Sequence, residues 1–181
     1  MRRRMLTTLL SALVLFLVFA NVKLATAHWW ETAWTYYHFH KSTINLWIYG
    51  SHQAQAEAAR LDWHNNTDLS LPRVNFHTDV SVFGANSGAT GWGGLASLED
   101  TSWYWHCGWW CGISHAHSQY NSYYGSTNLY FVQGIFCQEI GHTFGLAHPW
   151  IGDAGGCMGY TYDSSSNVTS PHNRSEINAQ Y

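Results

Sequence analysis

Within the eleven residues from Gln138 to His148 stand four side chains able to hold a divalent cation and to move a proton beside it: Gln138, Glu139, His142 and His148. A helix turns once in about 3.6 residues, so Gln138 and His142 share one face while Glu139 sits about 100° round. Gly145 is the residue type that leaves a helix most readily in a left-handed conformation, and the reversed chain would return His148 to the same spot. An amide oxygen, two imidazoles and an adjacent carboxylate form a set that can polarise a carbonyl and take a proton from water. The amide is the weak member. An imidazole binds zinc through nitrogen at about 2.0 Å, whereas Gln138 offers a neutral oxygen, a poorer donor for a borderline-soft ion. Three readings stay open: Gln138 ligates through its oxygen, His106, His115 or His117 takes its place, or the site holds no metal.

The elements that must position these residues show as patterns. Leu129, Val132, Phe136 and Ile140 fall within about 80° of one another at about 100° per residue. Gln138 and His142 lie opposite them, with Phe131 and Ile135 near the ligand side. Such a helix is apolar nearly all round and is expected to be buried, a rigid mount for a metal; its cap is placed at Ser126 or Thr127. Upstream, Thr43–Tyr49 is rich in β-branched and aromatic residues and ends at Gly50, which predicts a strand. His52–His64, with Ser51 as N-cap and Ala54, Ala58 and Leu61 as its apolar stripe, predicts an amphipathic helix. Val74–His77 and Val80–Phe83 predict strands, followed by a Gly-rich loop over 84–94 that leads into Leu95–Leu98. Trp103 to Cys111 concentrates four of the eleven tryptophans in nine residues. That segment is either a wall for an apolar or carbohydrate-bearing substrate or a disulfide-stapled loop packed on the domain. Ile113–Asn121 alternates, putting His115 and His117 on one face, as a metal pair or as polar residues on a solvated strand.

The run Glu-x-x-His-x-x-Gly-x-x-His over 139–148, with Met158 ten residues on, resembles the metzincin signature His-Glu-x-x-His-x-x-Gly-x-x-His and its later Met-turn. Gln138 stands where that family has its first histidine. The similarity to matrixins covers most of residues 43–181. It implies a metzincin-like α+β catalytic domain: a twisted mixed sheet with a cleft-edge strand, two main helices, a Met-turn and a short C-terminal helix. It further implies a secreted zinc-dependent endopeptidase, with Zn2+ held by Gln138, His142 and His148, Glu139 as general base, and Met158 beneath the site. Met158-Gly159-Tyr160 matches the Met-x-Tyr turn of astacins and serralysins, where the tyrosine helps to stabilise the tetrahedral intermediate; Tyr160 takes that role or packs beneath the site. Gly93-Gly94-Leu95-Ala96 is similar to the matrixin Gly-Leu-Ala. Ile113–Asn121 resembles the family's cleft-bordering strand, along which a protein or peptide substrate would pair. The tail from Ser170 to Tyr181 resembles the final matrixin helix, with His172-Asn173 where the family usually has an Asp.

The whole chain bounds these readings. Arg2, Arg3 and Arg4 precede an apolar run, and Ala25-Thr26-Ala27 has the form cut by a signal peptidase, so residues 1–27 read as a signal peptide rather than a stable membrane anchor. Residues 28–181 are expected to form one domain and a monomer. Loss of the leader leaves four Lys and Arg against eleven Asp and Glu, a net charge of −7, which disfavours nucleic acid and anionic membranes as partners. The four cysteines, Cys107, Cys111, Cys137 and Cys157, predict two disulfides in an oxidising compartment; we favour Cys107 with Cys111 and Cys137 with Cys157, which would pin the Met-turn beneath the helix. Cleavage would also expose His28, which can chelate copper as a histidine brace with His38, His40 or His115. A catalytically degenerate metzincin-fold binding protein and that copper protein are the rival functions.

Overall fold

The computed structural model describes residues 31–32, 35–104, 109–148, 155–159 and 167–181. The expected signal peptide, His28, His106, Cys107 and Tyr160 lie outside these residues. After a short antiparallel pair, β1 (Glu31–Thr32) with β2 (Thr35–Tyr36), the chain forms β3 (Leu46–Gly50), α1 (Gln53–Asn66), β4 (Arg73–Val74), β5 (Val80–Ala85), β6 (Gly94–Tyr104), β7 (Trp109–Asn121), α2 (Leu129–Thr143) and α3 (Pro171–Gln180). The other five strands, β3 to β7, make one sheet in the order β4-β3-β5-β7-β6. Neighbours pair in parallel except β6, which runs antiparallel to β7. This is the α+β class with a mixed sheet, two main helices and a short C-terminal helix that the sequence predicts.

Strand alternation sorts the sheet into two faces. Leu46, Ile48, Val80, Val82, Ala116 and Tyr120 are buried and face the layer made by α1 and α2, where Tyr120 meets Phe136 with ring centroids 5.6 Å apart. Their sequence neighbours Trp47, Tyr49, Phe83, His115 and His117 stand on the other face. The segment Ile113–Asn121, expected at the cleft edge, is interior: β7 is flanked by β5 and β6, and the antiparallel β6 forms the edge. The reason is the hairpin partner. The short stretch Leu95–Leu98 expected after the Gly-rich loop is part of a strand that runs extended for eleven residues, Gly94–Tyr104, and pairs with β7 from Gly94↔Tyr120 to Tyr104↔Trp109, closing off that side of it.

Two helix details also differ from expectation. On α1 the buried residues are Ala56, Ala59, Arg60 and Trp63, while Leu61 is 38% exposed. The indole decides the helix's rotation: Trp63 is fully buried, and its Nε1 donates to Cys137 O at 2.9 Å, so its large apolar area outweighs that of Leu61. Its N-cap is His52, in a left-handed conformation and with no side-chain cap bond, rather than Ser51. On α2 the N-cap is Asn128, whose side chain accepts from the N–H groups of Tyr130 and Phe131. From Gly134 to Thr143 every residue of α2 is buried, as its all-round apolar character requires.

Candidate metal centre

Two covalent or close-packed ties hold the turn at Met158 under α2. Cys137 and Cys157 form the favoured disulfide, spanning 20 residues, and Met158 is fully buried against Gly141, where an added Cβ would overlap its Sδ and stand 2.8 Å from Trp63 Cζ2. Glycine at 141 is therefore what lets the helix, the methionine and the indole meet. Cys111 is also disulfide-bonded; its expected partner Cys107 lies outside the described residues.

At the end of α2 the chain reverses as the sequence predicts. Gly145 takes φ 103°, a region that costs other residues steric energy, and its N–H donates to His142 O at 2.9 Å. The reversal brings His148 back to the helix: the rings of His142 and His148 lie 4.7 Å apart, and Nε2 of Gln138 is 3.2 Å from Nδ1 of His148. So the three predicted ligands converge. His142 Nδ1 lies 2.6 Å from Leu146 O, the kind of outer-shell carbonyl contact that fixes a ligand imidazole's tautomer with its lone pair on Nε2. Gln138 Nε2 donates to Gly159 O at 3.2 Å, so the amide oxygen is the atom it could offer to a metal. His148 Nδ1 is 3.3 Å from Met158 O. Two imidazoles with backbone-directed Nδ1 atoms and one amide oxygen fit a borderline divalent ion such as zinc.

Glu139 lies toward β6. An added Cβ at Gly94 would stand 2.5 Å from its Oε1 and 2.5 Å from Ile135 Cγ2, and the Ala96 backbone hydrogen-bonds its carboxyl group. Gly94, Leu95 and Ala96, similar to the matrixin Gly-Leu-Ala, fall in this strand; that its glycine makes room for the carboxylate and its alanine binds it was not readable from sequence. Burial pushes the Glu139 pKa up to about 8, a rise opposed by the Ala96 bond. Burial pushes His142 down to about 4, opposed by the Leu146 bond and deepened by His148, so this imidazole is neutral at physiological pH, the form that ligates.

His115 and His117 are not part of this centre. They stand on the opposite face of β7 from the helices, and with His77 they form a group whose ligand atoms lie within 4.8 Å of one another. In the sequence His77 reads only as the last residue of a predicted strand, with no sign of a ligand role. Burial lowers the pKa of His115, with the Thr78 carbonyl opposing and His77 and His117 adding to the shift. At the far end, α3 is capped by Ser170 and Asn173, which form a reciprocal capping box; Asn173, in the region where the family's Asp is expected, thus serves the helix start. Tyr181 OH donates to Phe144 O at 2.9 Å and accepts from Phe39 N–H at 3.1 Å, which fastens the chain end to the turn carrying the ligands. Burial raises the Tyr181 pKa above its ordinary value.

The architecture is thus an α+β domain with two imidazoles, an amide and a buried carboxyl at the junction of a helix, a glycine turn and an edge strand. No protein-family model matches the chain, and no curated protein does. Among solved structures 57 chains match. One is that of myroilysin, similar with a TM-score of 0.49 at 11% identity, over 80% of this chain and 95% of that one.

Proposed function

We propose that the protein is a secreted, metzincin-like zinc endopeptidase that hydrolyses peptide bonds of extracellular proteins. The observation that carries the reading is the convergence of Gln138, His142 and His148 beside a buried carboxyl group, Glu139, at the edge strand. Zinc on those three residues would supply Lewis acidity toward a carbonyl and lower the pKa of bound water. Glu139 is the proton carrier, taking a proton from water and passing it to the leaving amine. The outer edge of β6, beside Glu139, supplies backbone groups with which an extended peptide can pair. Met158 supports the helix from below, and Tyr160 is assigned the stabilising role implied by the Met-x-Tyr turn.

A second reading, a metal-free binding protein on the same scaffold, is favoured by one feature: Gln138 already makes neutral hydrogen bonds to Gly159 and lies beside His148. Cleavage of an unfolded protein substrate by the zinc-supplemented chain separates the two. The endopeptidase reading expects cleavage that falls by about 10²–10⁴-fold in Glu139→Gln, the usual worth of a general base. No cleavage by the wild type or by Gln138→His would leave the binding protein.

A further inference from the structure

The loop 86–93, which carries the chain from β5 into the edge strand β6, has little apolar surface of its own. Asn86, Ala89, Thr90 and Gly91 are exposed, and a Cβ added at Gly88 or Gly91 would meet nothing within 4 Å. What holds the loop is a side chain from the neighbouring strand: Asn121, the last residue of β7, which is fully buried. Its Nδ2 donates to Thr90 Oγ1 at 2.8 Å, to Gly88 O at 3.0 Å and to Trp92 O at 3.3 Å. Its Oδ1 accepts from the N–H groups of Ser87 at 3.0 Å and Tyr123 at 3.1 Å. Its own N–H donates to Gly93 O at 2.8 Å. Backbone donors on one side of the amide and oxygens on the other fix which way it points. We propose that Asn121 is a positioning residue for substrate: by fixing the loop it lengthens the peptide-pairing edge of β6 past Gly94, so that the cleft selects extended polypeptides over short peptides.

This role rests on the peptidase reading for the place of the scissile bond, and backbone continuity supplies the rest. Gly94, where β6 begins, lies against Glu139. A peptide paired along the outer edge of β6 and cut beside that carboxyl group therefore runs, on one side of the cut, directly past the loop. An extended chain advances about 3.3 Å per residue, so residues two or three beyond the bond lie against Gly91–Gly93. Among the described residues no strand pairs with that edge. A glycine-rich segment ordered only on binding would give up affinity as lost conformational freedom; Asn121 orders it beforehand, and Tyr124 adds a tie, its OH accepting from Gly91 N–H at 2.6 Å. No charged side chain lies between Gly84 and Leu98, so this edge offers main-chain groups, and its preference is for length rather than charge. The amide is specific to the task. Aspartate would keep its shape but turn a second oxygen toward Gly88 O, Thr90 Oγ1 and Trp92 O, and alanine would leave the donors and acceptors on both sides unmatched.

The test measures binding of two degenerate peptide mixtures, of about twelve and about four residues, by fluorescence anisotropy. The parent is the zinc-supplemented Glu139→Gln chain, in which binding needs no turnover; cleavage by the wild type tests the peptidase reading separately. We expect the parent to bind the longer mixture at least about tenfold more tightly than the shorter. Adding Asn121→Asp should remove most of that ratio by weakening the longer mixture alone, and Thr90→Val, an exposed change that spares the fold, should reduce it in the same direction. Where the wild type cleaves, Asn121→Asp should raise KM for long substrates more than it lowers kcat. Hydrogen exchange over 86–96 should quicken in Asn121→Asp, with circular dichroism and zinc content as in the parent. A parent without preference for the longer mixture would overturn the proposal, as would a folded Asn121→Asp that keeps the ratio or weakens both mixtures equally.

Discussion

Glu139 is a carboxyl group kept from water by Ile135, Gly94 and the edge strand, and its properties follow from that position. In the metal-free protein the folded state holds its proton up to about pH 8, while the unfolded chain releases it near the ordinary glutamate value. Folding therefore binds the proton, and the stabilisation is complete below the unfolded pKa and lost as pH rises through about 8. Glu139→Gln keeps the shape and removes the charge. We predict that metal-free Glu139→Gln equals the wild type in urea midpoint near pH 4 and exceeds it progressively toward pH 8; parallel curves would contradict the assigned burial. His142 acts in the opposite sense: with its pKa lowered to about 4, it costs stability as pH falls below the ordinary histidine value. Gly145 permits a further residue-scale prediction. At φ 103° an Ala side chain is strained, so Gly145→Ala should cost about 1–3 kcal/mol in denaturant unfolding and weaken zinc binding by displacing His148. Gln138→His should instead tighten zinc, because an imidazole replaces an amide oxygen. A looser site would count against ligation at this position.

Local signals reached the elements that depend on neighbours in sequence. The helix of the motif, the left-handed Gly145 and the Cys137–Cys157 bridge follow from spacing, glycine chemistry and cysteine placement, and all three are present. What failed was non-local. The rotation of α1 is set by Trp63 reaching Cys137 across the layer, and alternation in Ile113–Asn121 cannot tell which strands will flank it. His77 joins His115 only because parallel pairing of β5 with β7 sets Val80 opposite Ala116. The disulfide tests how far the Met-turn positions the centre. A bridge closing a loop of this length is worth about 3 kcal/mol, so Cys137→Ala with Cys157→Ala should lower unfolding stability by about 2–4 kcal/mol and weaken zinc binding at the centre. A stability loss with unchanged zinc affinity would show that packing of Met158 on Gly141 suffices to hold the turn.

At the scale of the whole molecule, one sheet separates two histidine-bearing regions. The helix side holds Gln138, His142 and His148 with a carboxyl group at the sheet edge; the open side holds His77, His115 and His117 among stacked aromatics. Tyr181 ties the chain end to both the turn after α2 and the segment at Phe39. Tyr181→Phe keeps the ring and removes the donor, leaving Phe144 O and Phe39 N–H without their partner. It should destabilise by about 1–3 kcal/mol, read from thermal or urea unfolding. Among the described residues no helix is long and apolar enough to cross a membrane. Whether the helix centre holds zinc is read from zinc content, measured by mass spectrometry on protein dialysed against a defined free-zinc buffer. The predicted result is a zinc content that falls by one ion in His142→Ala relative to the wild type. Zinc content unchanged by His142→Ala would contradict it.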